Sequence, residues 1–182
     1  MAKNNNAKMT QLDIEEQYQT CKRASFFRRL GAYIYDLFTI SVVVFIATLL
    51  AIIVVLIANK IGSIDLTLYK GATDFLGQSL VFLIYLSVVI IGFFAYFWSQ
   101  VGQTFGMKIC RIRVQNSDGS NITFTQSLIR IATSAFGLGS FMALLKDRNA
   151  FQDLWAECEV VLLPKELSNW KGFSTILKLD KK

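Results

Sequence analysis

The sequence has no histidine, one proline and three cysteines in 182 residues, and only 18% of it is charged. The missing histidine excludes a Ser-His-Asp triad, a histidine metal ligand and a histidine pH switch. One proline beside eleven glycines excludes a collagen-like chain or a Pro/Gly-rich linker. Cys21, Cys110 and Cys158 are odd in number, scattered and free of any C-x-x-C spacing. They read as small, half-buried thiols, not as a disulfide framework or a metal set. A soluble domain carries about a quarter charged residues. Here the shortfall accompanies 53% hydrophobic residues and a mean hydropathy of +0.44. The excess lies in long charge-free runs, so the composition points to a small integral membrane protein, and the length to one domain.

Two runs are long enough to cross a bilayer. Leu37 to Ala58 gives 22 residues without a charge, and Ser79 to Trp98 gives 20. At about 1.5 Å per residue each crosses a hydrocarbon core of roughly 30 Å. Both are rich in Val, Ile and Phe, yet a lone strand in lipid would leave its backbone unpaired, so helices are expected. The first run is too long for a signal h-region and no small-residue cleavage site follows it, so it is expected to be retained. A third stretch, Ile131 to Leu145, has 15 charge-free residues with Gly137 and Gly139 inside and Arg130 at its edge. It fits either a full span or a re-entrant helix.

Charge sets the expected orientation. Residues 1–30 carry six basic groups against three acidic ones, and the loop 99–123 carries Lys108, Arg111 and Arg113 against Asp118. The loop 59–78 is balanced, with Lys60 and Lys70 against Asp65 and Asp74. The positive-inside rule therefore puts the N-terminus and the second loop in the cytoplasm. Aromatics flank the same face: Phe26, Phe27, Tyr33 and Tyr35 before the first span, and Phe93 to Trp98 at the end of the second. RIRVQ, NSDGSN and ITF (residues 111–124) read as a β-hairpin about an Asp118-Gly119 turn, and EVVLL (159–163) as a further strand. If those strands pair, the segment after the third stretch is cytoplasmic too.

The informative polar residues stand at the membrane edge. Arg29 and Asp36 are seven apart, two helical turns, and share a face. Arg29 reads equally as a snorkelling anchor. Asp36 is too short to snorkel far, so it is expected to pair with an arginine inside the bundle. Arg130 and Asp153 flank the third stretch. Intramembrane charges are a functional-site hypothesis by default. An Asp at a helix start is more often a cap or dipole partner, which favours a structural Asp153 that closes a turn or pairs with Arg29. GQTFG (102–106) lacks the Lys-Ser/Thr ending of a phosphate loop, and no nucleophile–base pair is evident, so enzymatic activity and a cofactor are not expected. Topology accounts for the basic pI, so no nucleic-acid partner is expected.

FFRRLGAYIYDLFTI, GQTFGMKICRIRVQNSDGSNITFTQSLIR and DRNAFQDLWAECEVVLLPK occur in this order. Together they resemble the motifs of the RDD family of bacterial membrane proteins, named for one arginine and two aspartates. The resemblance covers about residues 24–165, leaving 1–23 as a disordered cytoplasmic tail and 166–182 as a basic tail that can touch anionic lipid. On that match Arg29 is the family arginine and Asp36 and Asp153 are its aspartates. Gly102, Thr104, Gly106, Lys108, Asp118, Gly119 and Arg130 also fall in register. Gln152 stands where the family motif usually has histidine, and Ala-Glu-Cys-Glu around Cys158 replaces its usual small residue and threonine. That argues against a proton relay through such a histidine.

The expected fold is thus an all-α integral membrane protein: two transmembrane helices, a third spanning or re-entrant helix, and a small cytoplasmic β-hairpin or strand element. The resemblance implies a multi-pass inner-membrane protein and leaves two functional readings. One is a small ion or solute transporter or exchanger, acting as an oligomer through Asp36, Arg130 and Asp153. The other is a non-transporting accessory or structural subunit of a larger membrane complex, with the Gly102-x-x-x-Gly106 pair serving packing. The expected partners are the lipid bilayer and a second copy or other membrane proteins.

Overall fold

A computed structural model describes residues 17–134 and 151–164. Helix α1, Phe26–Lys60, begins eleven residues before the charge-free run, on Ser25 in an extended conformation. Those residues are largely basic and aromatic and contain no proline, so the helix runs through Gly31 and extends about 16 Å below the apolar stretch. A short helix α2, Ala72–Gln78, precedes α3, Leu80–Tyr96, which Ser79 caps through its hydroxyl. A π-helical turn, Phe97–Val101, follows and stops at Gly102, whose φ of +73° suits glycine. Among the described residues, α1 and the continuous α3–π segment are the two helices long and apolar enough to cross a bilayer. Their outer faces are exposed apolar side chains such as Phe38, Phe45, Val54, Val81 and Leu83. The Tyr85 hydroxyl donates to the Ala47 carbonyl at 3.3 Å and ties the two helices at mid-height. At the far end, Val55, Ala72 and Leu76 close a small apolar cluster.

At the near end lies a compact cap. It comprises α4 (Phe105–Ile109), β1 (Ile112–Gln115), α5 (Phe124–Thr133), α6 (Phe151–Trp155) and β2 (Glu159–Leu162). Strands β1 and β2 pair antiparallel, Ile112 opposite Leu162 and Gln115 opposite Glu159. Residues 22–24 continue the sheet: Ala24 N–H donates to Val160 O, and Leu162 N–H to Lys22 O. Successive residues point to opposite faces, so Val160 joins the core with Ala24, Ala32, Trp98, Met107, Ile112, Val114 and Ile122, while Val161 packs under Tyr18. The segment 17–23 is thus packed on the cap. Residues 1–16 and 165–182 lie outside the described residues.

The expected hairpin is corrected. The Asp118-Gly119 turn forms, with Gly119 at φ +84°, but Ile122 to Phe124 is not its returning strand. Thr123 and Gln126 make a reciprocal capping box that starts α5, and β1 takes EVVL as its partner instead. A third spanning helix is not shown. Residues 131–133 close α5, and residues 135–150, which hold most of the third stretch, lie outside the described residues.

Candidate functional site

The first three turns of α1 bury Arg29, Ala32 and Asp36, which share one face at helical spacing. That face receives α4. Gly106 sits so close that a Cβ there would lie 2.8 Å from the Asp36 nitrogen and 2.9 Å from its Cγ. Only a residue without a side chain permits this approach. The approach in turn puts the start of α4 on the Asp36 carboxylate. The Thr104 hydroxyl donates to Oδ2 at 2.5 Å, and the Gly106 N–H to Oδ1 at 2.8 Å. Thr104 is also the N-cap of α4, its oxygen accepting from Met107 N–H. One hydroxyl therefore joins the two elements.

The expected pairing of Asp36 with an arginine is not formed among the described residues. Among the described residues its carboxylate is held by neutral donors only. The arginines go to the other aspartate. Asp153, in the first turn of α6, accepts from Arg29 Nη1 on Oδ2 and from Arg130 Nη1 on Oδ1. All three side chains are buried, at 7%, 3% and 2% exposure for Arg29, Arg130 and Asp153. Arg29 Nε also donates to the Ala24 carbonyl, and Arg130 Nη1 to the Cys158 sulfur at 3.2 Å. The Arg130 guanidinium lies 5.0 Å from the centre of the Trp98 ring, within cation–π range. The Cys158 N–H donates to the Asp153 carbonyl, so the turn after α6 closes on the same residue.

The cluster joins α1, α5 and α6, from residues 124 positions apart in sequence. Two guanidinium groups share one carboxylate in a buried site. Arg130 Nε and Trp98 Nε1 are buried without an acceptor among the described residues. Burial pushes the Cys158 thiol above its ordinary value, against the pull of Arg130. It is therefore a protonated, weakly accepting sulfur, unlike a reactive thiolate. Among the described residues no three Cys, Asp or Glu side chains are grouped as metal ligands would be.

The remaining expected residues have local roles. Asp118 accepts from Ser120 N–H at 2.9 Å and from its hydroxyl at 2.6 Å, fixing the turn that Gly119 completes. Gly102 and Gly106 do not form one helical stripe. Gly102 ends the π turn against Val114 O and the Asn121 side chain, and Gly106 alone meets α1. Sequence reasoning placed Trp98 in an aromatic belt and Cys158 among bland thiols, and missed both as neighbours of Arg130. The Trp98 signal was faint: it is the last aromatic before a glycine that stops the helix.

No curated protein and no solved structure matches the chain. The RDD family model matches residues 23–157, which contain Arg29, Asp36 and Asp153. The chain belongs to the RDD family, and its membership together with the two long apolar helices indicates a membrane protein.

Proposed function

We propose that the chain is a multi-pass inner-membrane protein with a non-transporting, accessory or structural role, its cap lying on the cytoplasmic face. One observation carries the reading: the motif charges are consumed within the chain. Both Asp153 oxygens are taken by arginines and both Asp36 oxygens by α4, so neither carboxylate is left open to a passing cation. Among the described residues the two long helices do not by themselves enclose a pathway, and their exposed apolar faces suit lipid and the helices of a second copy or another membrane protein. The basic excess in residues 17–30 and 99–123, which the cap brings together, supports a cytoplasmic placement. Arg130 touches Asp153, so the chain between them starts and ends on that same face.

A second reading keeps one observation in its favour. Asp36 is a buried carboxylate with no cation beside it among the described residues, as a proton-exchanging group would be. Reconstitution in liposomes separates the two. The accessory reading expects cation-driven proton movement no faster than in empty vesicles. Flux that vanishes in a folded Asp36→Asn variant would establish the exchanger instead.

A further inference from the structure

We propose that the cleft between Lys22 and Arg111 holds the phosphate of an anionic phospholipid headgroup at the membrane surface. The cleft, of about 360 Å³, lies at the edge of the sheet and is walled by Thr20, Lys22, Arg111, Leu162, Leu163 and Pro164. It thus has two cations on a mainly apolar wall. Among the described residues neither cation has an acidic partner, although Arg23 beside them is paired with Glu159. Arg28 adds a third positive charge. Its Nη1 donates to the carbonyl of Cys110, the residue before Arg111, at 3.3 Å.

The backbone makes Arg111 the informative member. Its φ is +56°, a left-handed conformation that glycine adopts without cost and a long side chain does not. Two hydrogen bonds hold it there: its N–H donates to Lys108 O at 3.1 Å, and its carbonyl accepts from Leu163 N–H at 2.8 Å. An arginine kept where glycine would be easier is accounted for by what its side chain does. A guanidinium matches the oxygens of a phosphate in a fork, and an ammonium opposite adds a point charge.

The height fits a lipid. Arg28 precedes Asp36 by eight residues, about 12 Å along the helix, and the charge-free run starts at Leu37. Arginine side chains at that level reach into the headgroup layer. Exposed Phe105 and Ile109 belong to α4, which meets α1 at Ala32 and Asp36 and so stands between that level and the apolar run, as residues dipping into the interface would. Lipid binding in this cleft does not depend on whether the chain transports anything.

The test uses the full chain in neutral detergent. Its melting is followed against short-chain phosphatidylglycerol, short-chain phosphatidylcholine and inorganic phosphate. Each basic residue near an anionic lipid is worth roughly a fivefold change in binding. From the two cleft-lining cations, Lys22 and Arg111, phosphatidylglycerol is therefore expected to bind about 25-fold more tightly than phosphatidylcholine. Arg111→Gly should retain or raise the melting temperature without lipid, since glycine suits the backbone there, while losing about fivefold of that preference. Lys22→Ala, on an exposed residue, should lose a similar factor. Equal responses to the two lipids, or an undiminished preference in the double variant, would overturn the proposal. A shift with inorganic phosphate as large as with phosphatidylglycerol, lost in the same variants, would assign the cleft to a free phosphate compound and overturn the lipid source.

Discussion

Asp153→Asn is nearly isosteric, and its effect follows from the charge count. In the wild type two buried guanidinium groups share one carboxylate. The asparagine keeps one acceptor oxygen and turns the other into an NH2, which then faces an arginine N–H. A donor meets a donor, and the two buried cations lose the carboxylate they share. Removing one partner of a buried pair costs about 3–5 kcal/mol. For a chain of this size a kilocalorie moves the midpoint by about 2–4 °C, so the melting temperature in detergent should fall by roughly 6–20 °C. Arg29→Met gives the contrast. It leaves Arg130 and Asp153 as a neutral one-to-one pair and removes the charged hydrogen bond to Asp153, worth about 1.5–3 kcal/mol, together with the long, weaker one to the Ala24 carbonyl at 3.4 Å. The expected order is therefore a larger loss for Asp153→Asn than for Arg29→Met. Replacing all three residues by apolar ones of similar volume should recover most of the loss, because the desolvation of three charges disappears. Scanning fluorimetry on tryptophan emission reads this directly, since Trp98 lies against Arg130. Unchanged melting in Asp153→Asn, or a greater loss in Arg29→Met, would refute the charge argument.

The second carboxylate yields smaller effects. Thr104→Val removes the hydroxyl on Asp36 and the cap of α4 together, and is expected to cost about 2–3 kcal/mol in the same melting assay. Gly106→Ala places a methyl against Asp36 and the α1 backbone, and should cost about 1–3 kcal/mol by overpacking. Stability should also fall in alkali through Cys158. Its folded value lies above the ordinary 9.0, so the native state holds the proton longer than the unfolded chain does. That contribution is complete below pH 9.0 and is lost as pH rises through the folded value. Cys158→Ala should flatten the melting temperature against pH above that point.

The helices were legible because lipid-facing runs have a signal of their own, a length without charge, which no packing detail can blur. The shared face of Arg29 and Asp36 was equally plain, because seven residues make two turns. The partner assignment was not. An aspartate and an arginine on one helix invite pairing by charge, but which cation reaches which carboxylate depends on how α4 and α6 dock. The decisive contact there is a glycine, Gly106, whose lack of a side chain carries no sign of what it admits. The hairpin failed for a related reason. The sequence holds both an Asp-Gly turn and a Thr-x-x-Gln cap, and the cap starts a helix where the turn would return a strand. EVVL was legible as a strand, while its pairing across the chain with β1, and the edge supplied by residues 22–24, were settled by tertiary packing.

Asp36 and Arg29, the partner of Asp153, stand on one face of α1, and the two aspartates thus do different physical work there. Asp36 receives neutral donors from the turn that follows the second long helix, so it sets where α4 rests on α1. Asp153 receives two cations from elements far apart in sequence, so it sets where α5 and α6 rest on the base of α1. Arg29 and Asp36 are seven residues apart, about 10 Å along the helix. Two clamps at that separation fix both the position and the tilt of the cap against α1, which one clamp could not do. The sheet then completes the closure, because β1 follows α4 directly and β2 follows α6 directly. Each clamp delivers one strand, and the strands meet only if both clamps hold. Loss of either aspartate should therefore loosen the β1–β2 pairing as well as its own contacts, a coupling that local capping or surface ion pairing would not produce.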